Sequence, residues 1–293
     1  MSDASGLVVV DKPAGLTSHD VVARLRRILR QRRVGHAGTL DPMATGVLVC
    51  GVGRGTRLLG HLAQDSAPDA KAYAATIRLG SSTTTDDAEG ELLNTADPAG
   101  VTDEAVAAGI AVLTGPIMQV PSAVSAIKVD GRRAYARVRA GEEVVLPARP
   151  VTVATFTLLA RRGPDLDVAV ECSSGTYVRA LARDLGAALA VGGHLTALRR
   201  TRVGPFDLRQ ARTLPELESE PGQSLTLAEA VAAAFPRRDV DDAAAIALAH
   251  GRPLPPAGLP GTYGVFAPDG RVLALVADRD GAARPLVVLA PAG

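Results

Sequence analysis

Apolar and polar positions alternate along this chain in runs whose period names the elements. Residues 6–10 form a continuous apolar run, too short for a helix, and predict a buried strand that ends in the turn Asp11-Lys12-Pro13-Ala14-Gly15. From Ser18, a candidate helix cap, apolar residues return at Val21, Val22, Leu25, Ile28 and Leu29, which is helical spacing. Arg30, Arg32 and Arg33 suit the negative C-terminal end of that helix. The apolar run at 47–52 predicts a second buried strand. Residues 71–79 alternate, with Tyr73, Ala75, Ile77 and Leu79 on one face, and predict a third. Residues 81–94 are polar and acidic and predict a loop. A modest helix is expected over 103–113, and an irregular stretch over 115–125, which holds two prolines.

Strands are expected at 151–159 and 165–171. After the turn Ser173-Ser174-Gly175, the residues Val178, Leu181, Ala182, Leu185 and Leu189 mark one face of a helix, with Tyr177 and Arg179 at its start. Strand-to-helix turns of this kind favour functional residues. Residues 226–235 predict a short helix, and beyond Pro236 the texture changes. Four prolines and two glycines fall within 253–261, and strand-like runs at 263–266 and 272–276 flank the hairpin signal Asp269-Gly270. A further strand is expected at 286–289. The pattern predicts an α/β (α+β) fold in two parts: a domain over 1–235 built around a β-sheet, and a small β-rich domain over 236–293.

Composition adds little to that fold but narrows the chemistry. Hydrophobic residues make up 47% and aromatics 3%, so the core is mostly aliphatic. No apolar stretch approaches the roughly 20 residues that span a bilayer. The N-terminus lacks a signal-peptide pattern, and a cytoplasmic protein is expected. The two cysteines, Cys50 and Cys172, have neither metal-ligand nor disulfide-framework spacing. Net charge is only +1, yet eight arginines fall between Arg24 and Arg57 against one acid, Asp41. Further basic groups are Arg132, Arg133, Arg137 and Arg139, then Arg199, Arg200 and Arg202, while acids gather at 86–91 and 216–220. A basic face of this kind suits a polyanion.

The lone acid of the first basic group, Asp41, sits in the stretch VGHAGTLDPMAT. Gly35, Gly38 and Gly46 loosen the backbone around it, and Pro42 steers the preceding residue away from helix. Asp41 is therefore expected at a bend, at the lip of the strand that follows. Paired-carboxylate hydrolysis needs a second acid in a comparable setting, and none is present. His19, His36, His61, His194 and His250 are too scattered for a metal cluster, so no metal is expected. The glycines of 51–55 lack a phosphate-loop ending and point to close packing. The residue inventory permits one carboxylate as nucleophile or base, an arginine beside it and aromatics for stacking. That alone names no reaction.

Four collinear segments supply more. GLVVVDKPAGLTSHD, GHAGTLDPMATGVL, KAYAATIRLG with TDDAEGE, and CSSGTYVRALARDLG with HLTALRRTRVGPF resemble the bacterial tRNA pseudouridine-55 synthases, the TruB family. They cover most of residues 6–206, and the C-terminal part resembles a PUA-like RNA-binding domain. One departure falls near Val124, where relatives often carry tyrosine. The resemblance implies that uridine 55 in the T-loop of tRNA is flipped out and isomerised to pseudouridine, without a cofactor, by a stand-alone monomer. It makes Asp41 the catalytic nucleophile and leaves open whether the acid attacks the sugar, attacks the ring or removes a sugar proton. Arg179 then pairs with Asp41, Tyr73 stacks on the flipped uracil, and Tyr177 and Leu198 contact substrate. His36 contacts the RNA, and Lys12 is a candidate for phosphate. Two other readings share these features: a tRNA-binding folding chaperone without essential catalysis, and a guide-RNA-dependent synthase of the dyskerin type.

Overall fold

The computed structural model describes residues 5–63, 70–122, 128–129, 132–133 and 146–290. The strands, in chain order, are β1 (Gly6–Lys12), β2 (Val34–Ala37), β3 (Thr45–Val52), β4 (Lys71–Leu79), β5 (Ser81–Thr83), β6 (Leu92–Thr95), β7 (Gly115–Gln119), β8 (Lys128–Val129), β9 (Arg132–Arg133), β10 (Arg149–Arg162), β11 (Asp165–Cys172), β12 (Gly193–Val203), β13 (Phe206–Asp207), β14 (Leu225–Thr226), β15 (Arg237–Asp239), β16 (Thr262–Phe266), β17 (Val272–Arg279) and β18 (Ala282–Val288). The helices are α1 (Ser18–Ile28), α2 (Leu59–Ala63), α3 (Asp103–Val112), α4 (Val178–Ala188), α5 (Leu214–Ser219), α6 (Leu227–Ala234) and α7 (Asp242–Ala249). None of the described helices is long and apolar enough to cross a membrane.

Ten strands form one sheet in the order β14-β1-β3-β12-β4-β11-β10-β7, with β2 joined to β3 and β13 to β12. All its pairings are antiparallel except a short parallel contact of β12 with β3, through Arg199–Thr45 and Arg200–Gly46. The uninterrupted apolar runs of β1 and β3 are buried on both faces. Val8, Val10, Leu48 and Cys50 point into one apolar cluster with Val21, Val22 and Leu25 of α1 and Leu181, Ala182 and Leu185 of α4. The alternate residues, Leu7, Val9, Val47 and Val49, enter a second cluster with Val231 of α6 and Phe266, Val272 and Leu275 of the C-terminal sheet. That sheet runs β15-β16-β17-β18. The fold is thus the expected mixed α+β arrangement, with a β-rich C-terminal part seated on the back of the large sheet.

Several local expectations need correction. Thr17, not Ser18, caps α1, in a reciprocal capping box with Asp20. The Ser18 hydroxyl instead bonds the backbone of Leu40, at 2.9 Å from its N–H and 3.2 Å to its carbonyl. Part of the loop expected over 81–94 is the β5–β6 hairpin. The irregular stretch expected over 115–125 begins with a strand, because β7 lies at the sheet edge, where Pro116 removes no needed donor. Residues 123–125, with the Val124 departure, lie outside the described residues, as do Arg137 and Arg139. Strand β12, which joins the two halves of the sheet, escaped the periodicity, as did β2, α5 and α7. The packing role expected for the glycines of 51–55 does hold: a Cβ on Gly55 would lie 2.0 Å from the carbonyl oxygen of Gly6.

Candidate active site

Asp41 lies in the bend between β2 and β3, and three side chains hold that bend from beneath. Ser18 fixes Leu40. Arg200, only 1% exposed, donates to the carbonyls of Val47 (2.8 Å), Gly38 (3.1 Å) and Thr39 (3.3 Å). Lys12, fully buried, donates to the carbonyls of Leu16 (2.6 Å), Pro13 (2.9 Å) and Pro42 (3.2 Å). Burial pushes the Lys12 ammonium down to about 8, against the pull of Asp41. Lys12 is therefore a brace of the loop and not a surface phosphate contact. Gly46 closes the bend at φ +97°, where a Cβ would stand 2.2 Å from the Arg200 carbonyl oxygen.

Arg179 reaches Asp41 from the first turn of α4. Its Nε lies 3.0 Å from one carboxylate oxygen, and an Nη donates to the other at 3.3 Å. The Asp41 side chain is 34% exposed and the Arg179 side chain 3%, so the pair stands at the boundary between core and solvent. Behind it, the other Nη of Arg179 donates to the carbonyl of Thr85 at 2.7 Å and faces Asp87 at 3.5 Å. Asp87 is buried and accepts a 2.5 Å hydrogen bond from the Thr85 hydroxyl. Sequence reasoning missed Asp87, which looked like one more acid of a solvated loop. The start of α4 is set by a distant side chain, since Tyr177 has no capping hydroxyl. Buried Gln119 of β7 accepts from the Tyr177 N–H (2.8 Å) and donates to its carbonyl (3.1 Å).

A cleft of about 260 Å³ opens beside the pair and is lined by Asp41, Tyr73, Tyr177, Arg179 and Leu198, with Lys71 and Arg149 also on its wall. Five of the six site residues expected from the sequence thus meet in one place. His36 does not line this cleft; it sits on β2, its ring edge-on to His19 at a centroid distance of 5.5 Å. Tyr73 is 8% exposed, and burial pushes its phenol up to about 12, with Arg200 pulling the other way. The Arg149 guanidinium lies 4.9 Å from the centre of the Tyr177 ring. Among the described residues no cluster of three or more His, Cys, Asp or Glu side chains could hold a metal. The expected basic face is only partly free. Arg199 pairs with Asp11, Arg202 with Glu171, and Arg200 is internal, whereas Arg27, Arg30, Arg32 and Arg33 at the end of α1 are exposed.

A partly exposed carboxylate clamped by a buried guanidinium, beside an aromatic-walled cleft large enough for a base, is an arrangement chemically suited to single-carboxylate chemistry on a flat ring. Residues 26–178 match the TruB family pseudouridylate synthase N-terminal domain, 179–229 the tRNA pseudouridylate synthase B C-terminal domain, and 235–290 the tRNA pseudouridine synthase II C-terminal domain. The chain is 62% identical to the tRNA pseudouridine synthase B of Nocardia farcinica, over 98% of this chain and 94% of that one. It is 60% identical to that of Thermobifida fusca, over 98% and 99%. Among solved structures it resembles a chain of a Cbf5-Nop10-Gar1 complex, with a TM-score of 0.73 and 26% identity over 99% of this chain and 86% of that one. The chain belongs to the TruB family of pseudouridine synthases, which are isomerases.

Proposed function

We propose that this protein converts uridine 55 in the T-loop of tRNA to pseudouridine, acting as a monomer in the cytoplasm. The observation that carries this reading is the Asp41–Arg179 pair at the lip of the cleft formed by Tyr73, Tyr177 and Leu198. The curated relatives that match nearly the whole chain are tRNA enzymes by name, which supports tRNA as the substrate. The target base leaves its stack at a cost of a few kcal/mol, and phosphate contacts by the exposed arginines of α1 offset that cost. Once flipped, the uracil lies against Tyr73 with Leu198 as an apolar wall, and the sugar carbon stands beside Asp41. Arg179 holds the carboxylate in one orientation and pairs its charge. The bond from the sugar to N1 breaks, the ring turns within the cleft, and C5 bonds the same sugar carbon. No water enters the balance, so one carboxylate suffices, and a closed cleft keeps the detached ring within bonding distance. The division of labour follows the chain, with residues 1–235 catalytic and 236–293 binding RNA. His36 contacts RNA outside the cleft. Incubating the purified protein with an unmodified tRNA transcript, without guide RNA or added protein, and mapping pseudouridine by chemical derivatisation tests the reading. Modification at position 55 alone is expected; an unmodified transcript, or one altered only when a guide is added, refutes it.

A further inference from the structure

Three cations border the cleft, and two are already engaged. Arg179 is bound to Asp41 and the Thr85 carbonyl, and Arg149 donates to the Gly175 carbonyl and covers Tyr177. Lys71, the first residue of β4, lines the same cleft and makes no hydrogen bond or ion pair among the described residues. It precedes Tyr73 by two positions and therefore shares its face of the sheet. In register with Cys172 and Val203, it is held against the Asp41 loop: a Cβ on Gly38 would lie 3.6 Å from the Lys71 Nζ and 3.6 Å from an Arg200 Nη. The groups that face it are Tyr73 on its own strand, Cys172 on β11, Arg200 on β12 and Arg149 on β10, with Asp41, Tyr177 and Arg179 elsewhere in the cleft. Burial first, then the repulsion of Arg200 and Arg149, holds the ammonium down to about 8, so it is still charged at neutral pH. An ammonium kept in a sheltered cleft without an acceptor is prepared for an anion that arrives later.

The proposed reaction generates such an anion. When the bond from the sugar carbon to N1 breaks, its electron pair leaves with the ring, and the uracil carries negative charge spread onto its carbonyl oxygens. We infer that Lys71 touches the displaced uracil and stabilises this charge by donating a hydrogen bond to a ring carbonyl oxygen, as a further catalytic residue. The pair returns to carbon when C5 bonds the sugar, and the proton lost from C5 ends on N1. Lys71 keeps its own protons throughout, so the isomerisation balances without another reactant. The inference rests on the function proposed above.

Single-turnover rates and tRNA affinities of wild type, Lys71→Met and Lys71→Arg test it. Methionine fills the same volume without charge and is expected to slow turnover by about 10²–10³-fold, the loss typical of one removed donor to a developing anion. Its tRNA affinity should stay within about threefold of wild type, because the contact forms only during reaction. Arginine should recover at least about tenfold over methionine and, being charged at every pH, should lack the part of the alkaline rate decline that Lys71 causes. Alkylating a Lys71→Cys variant with bromoethylamine should restore rate by rebuilding an ammonium. Cys50 and Cys172 are buried, with thiols pushed up to about 12 and about 11, so wild type treated in parallel should keep its rate. A Lys71→Met variant at the wild-type rate overturns the inference alone. So does one with weakened tRNA binding and an unchanged saturated rate, which would assign the ammonium to phosphate. A wild type that forms no pseudouridine overturns the proposed function as well.

Discussion

Arg179 is the side chain whose loss should be felt twice. It orients Asp41 at the cleft and compensates the buried charge of Asp87 behind it. Arg179→Ala is expected to lower turnover by about 10²–10³-fold and, by leaving Asp87 uncompensated, to lower stability by on the order of 3 kcal/mol. Arg179→Lys should regain part of the stability but little activity, since one ammonium cannot serve Asp41, Asp87 and the Thr85 carbonyl together. Single-turnover assays and urea unfolding measure the two effects. A second residue-scale prediction concerns pH. Lys12 and Lys71 are both held near about 8, below the 10.5 of an exposed lysine. Between these values the unfolded chain binds more protons than the folded one, so these lysines make stability rise with pH across that window. Urea unfolding at pH 8 and pH 10 should show the rise, and Lys71→Met should reduce it.

At the scale of elements, the site depends on one close approach, that of β3 to β12. Gly46 meets the backbone of Arg200 so tightly that only glycine fits, and its φ is positive. Gly46→Ala is expected to destabilise by about 3 kcal/mol or more through clash and strain together. Gly15→Ala is the control: it shares a positive φ of +81° but has nothing within 4 Å, so only the conformational cost of about 1–2 kcal/mol applies. Denaturant midpoints distinguish the two. This contact also shows where the sequence was legible. Strands and helices that bury one face or both, such as β1, β3, β4, β11 and α4, announce themselves by period. Strand β12 does not, because Arg199, Arg200 and Arg202 interrupt its apolar positions, and only the fold turns one of them into an internal brace. Asp87 was illegible for the same reason: its burial comes from the packing of its loop against α4, which no local pattern records.

For the whole molecule, the second apolar cluster is decisive. Leu7, Val9, Val47 and Val49 of the large sheet share it with Phe266, Val272 and Leu275 of the C-terminal sheet, so cutting the chain near residue 236 would bare that surface. One cooperative thermal transition is expected by calorimetry, and two separable transitions would contradict a shared core. In the proposed function substrate binding is likewise spread over the molecule, in exposed arginines and the C-terminal part, whereas the chemistry is concentrated in one carboxylate. That separation gives the most direct test. Asp41→Asn keeps the shape of the bend and removes only the charge. The account predicts that this variant binds unmodified tRNA about as tightly as wild type, melts at a similar temperature and forms no measurable pseudouridine in a single turnover. Pseudouridine formed by the folded variant at a rate near that of wild type would contradict it.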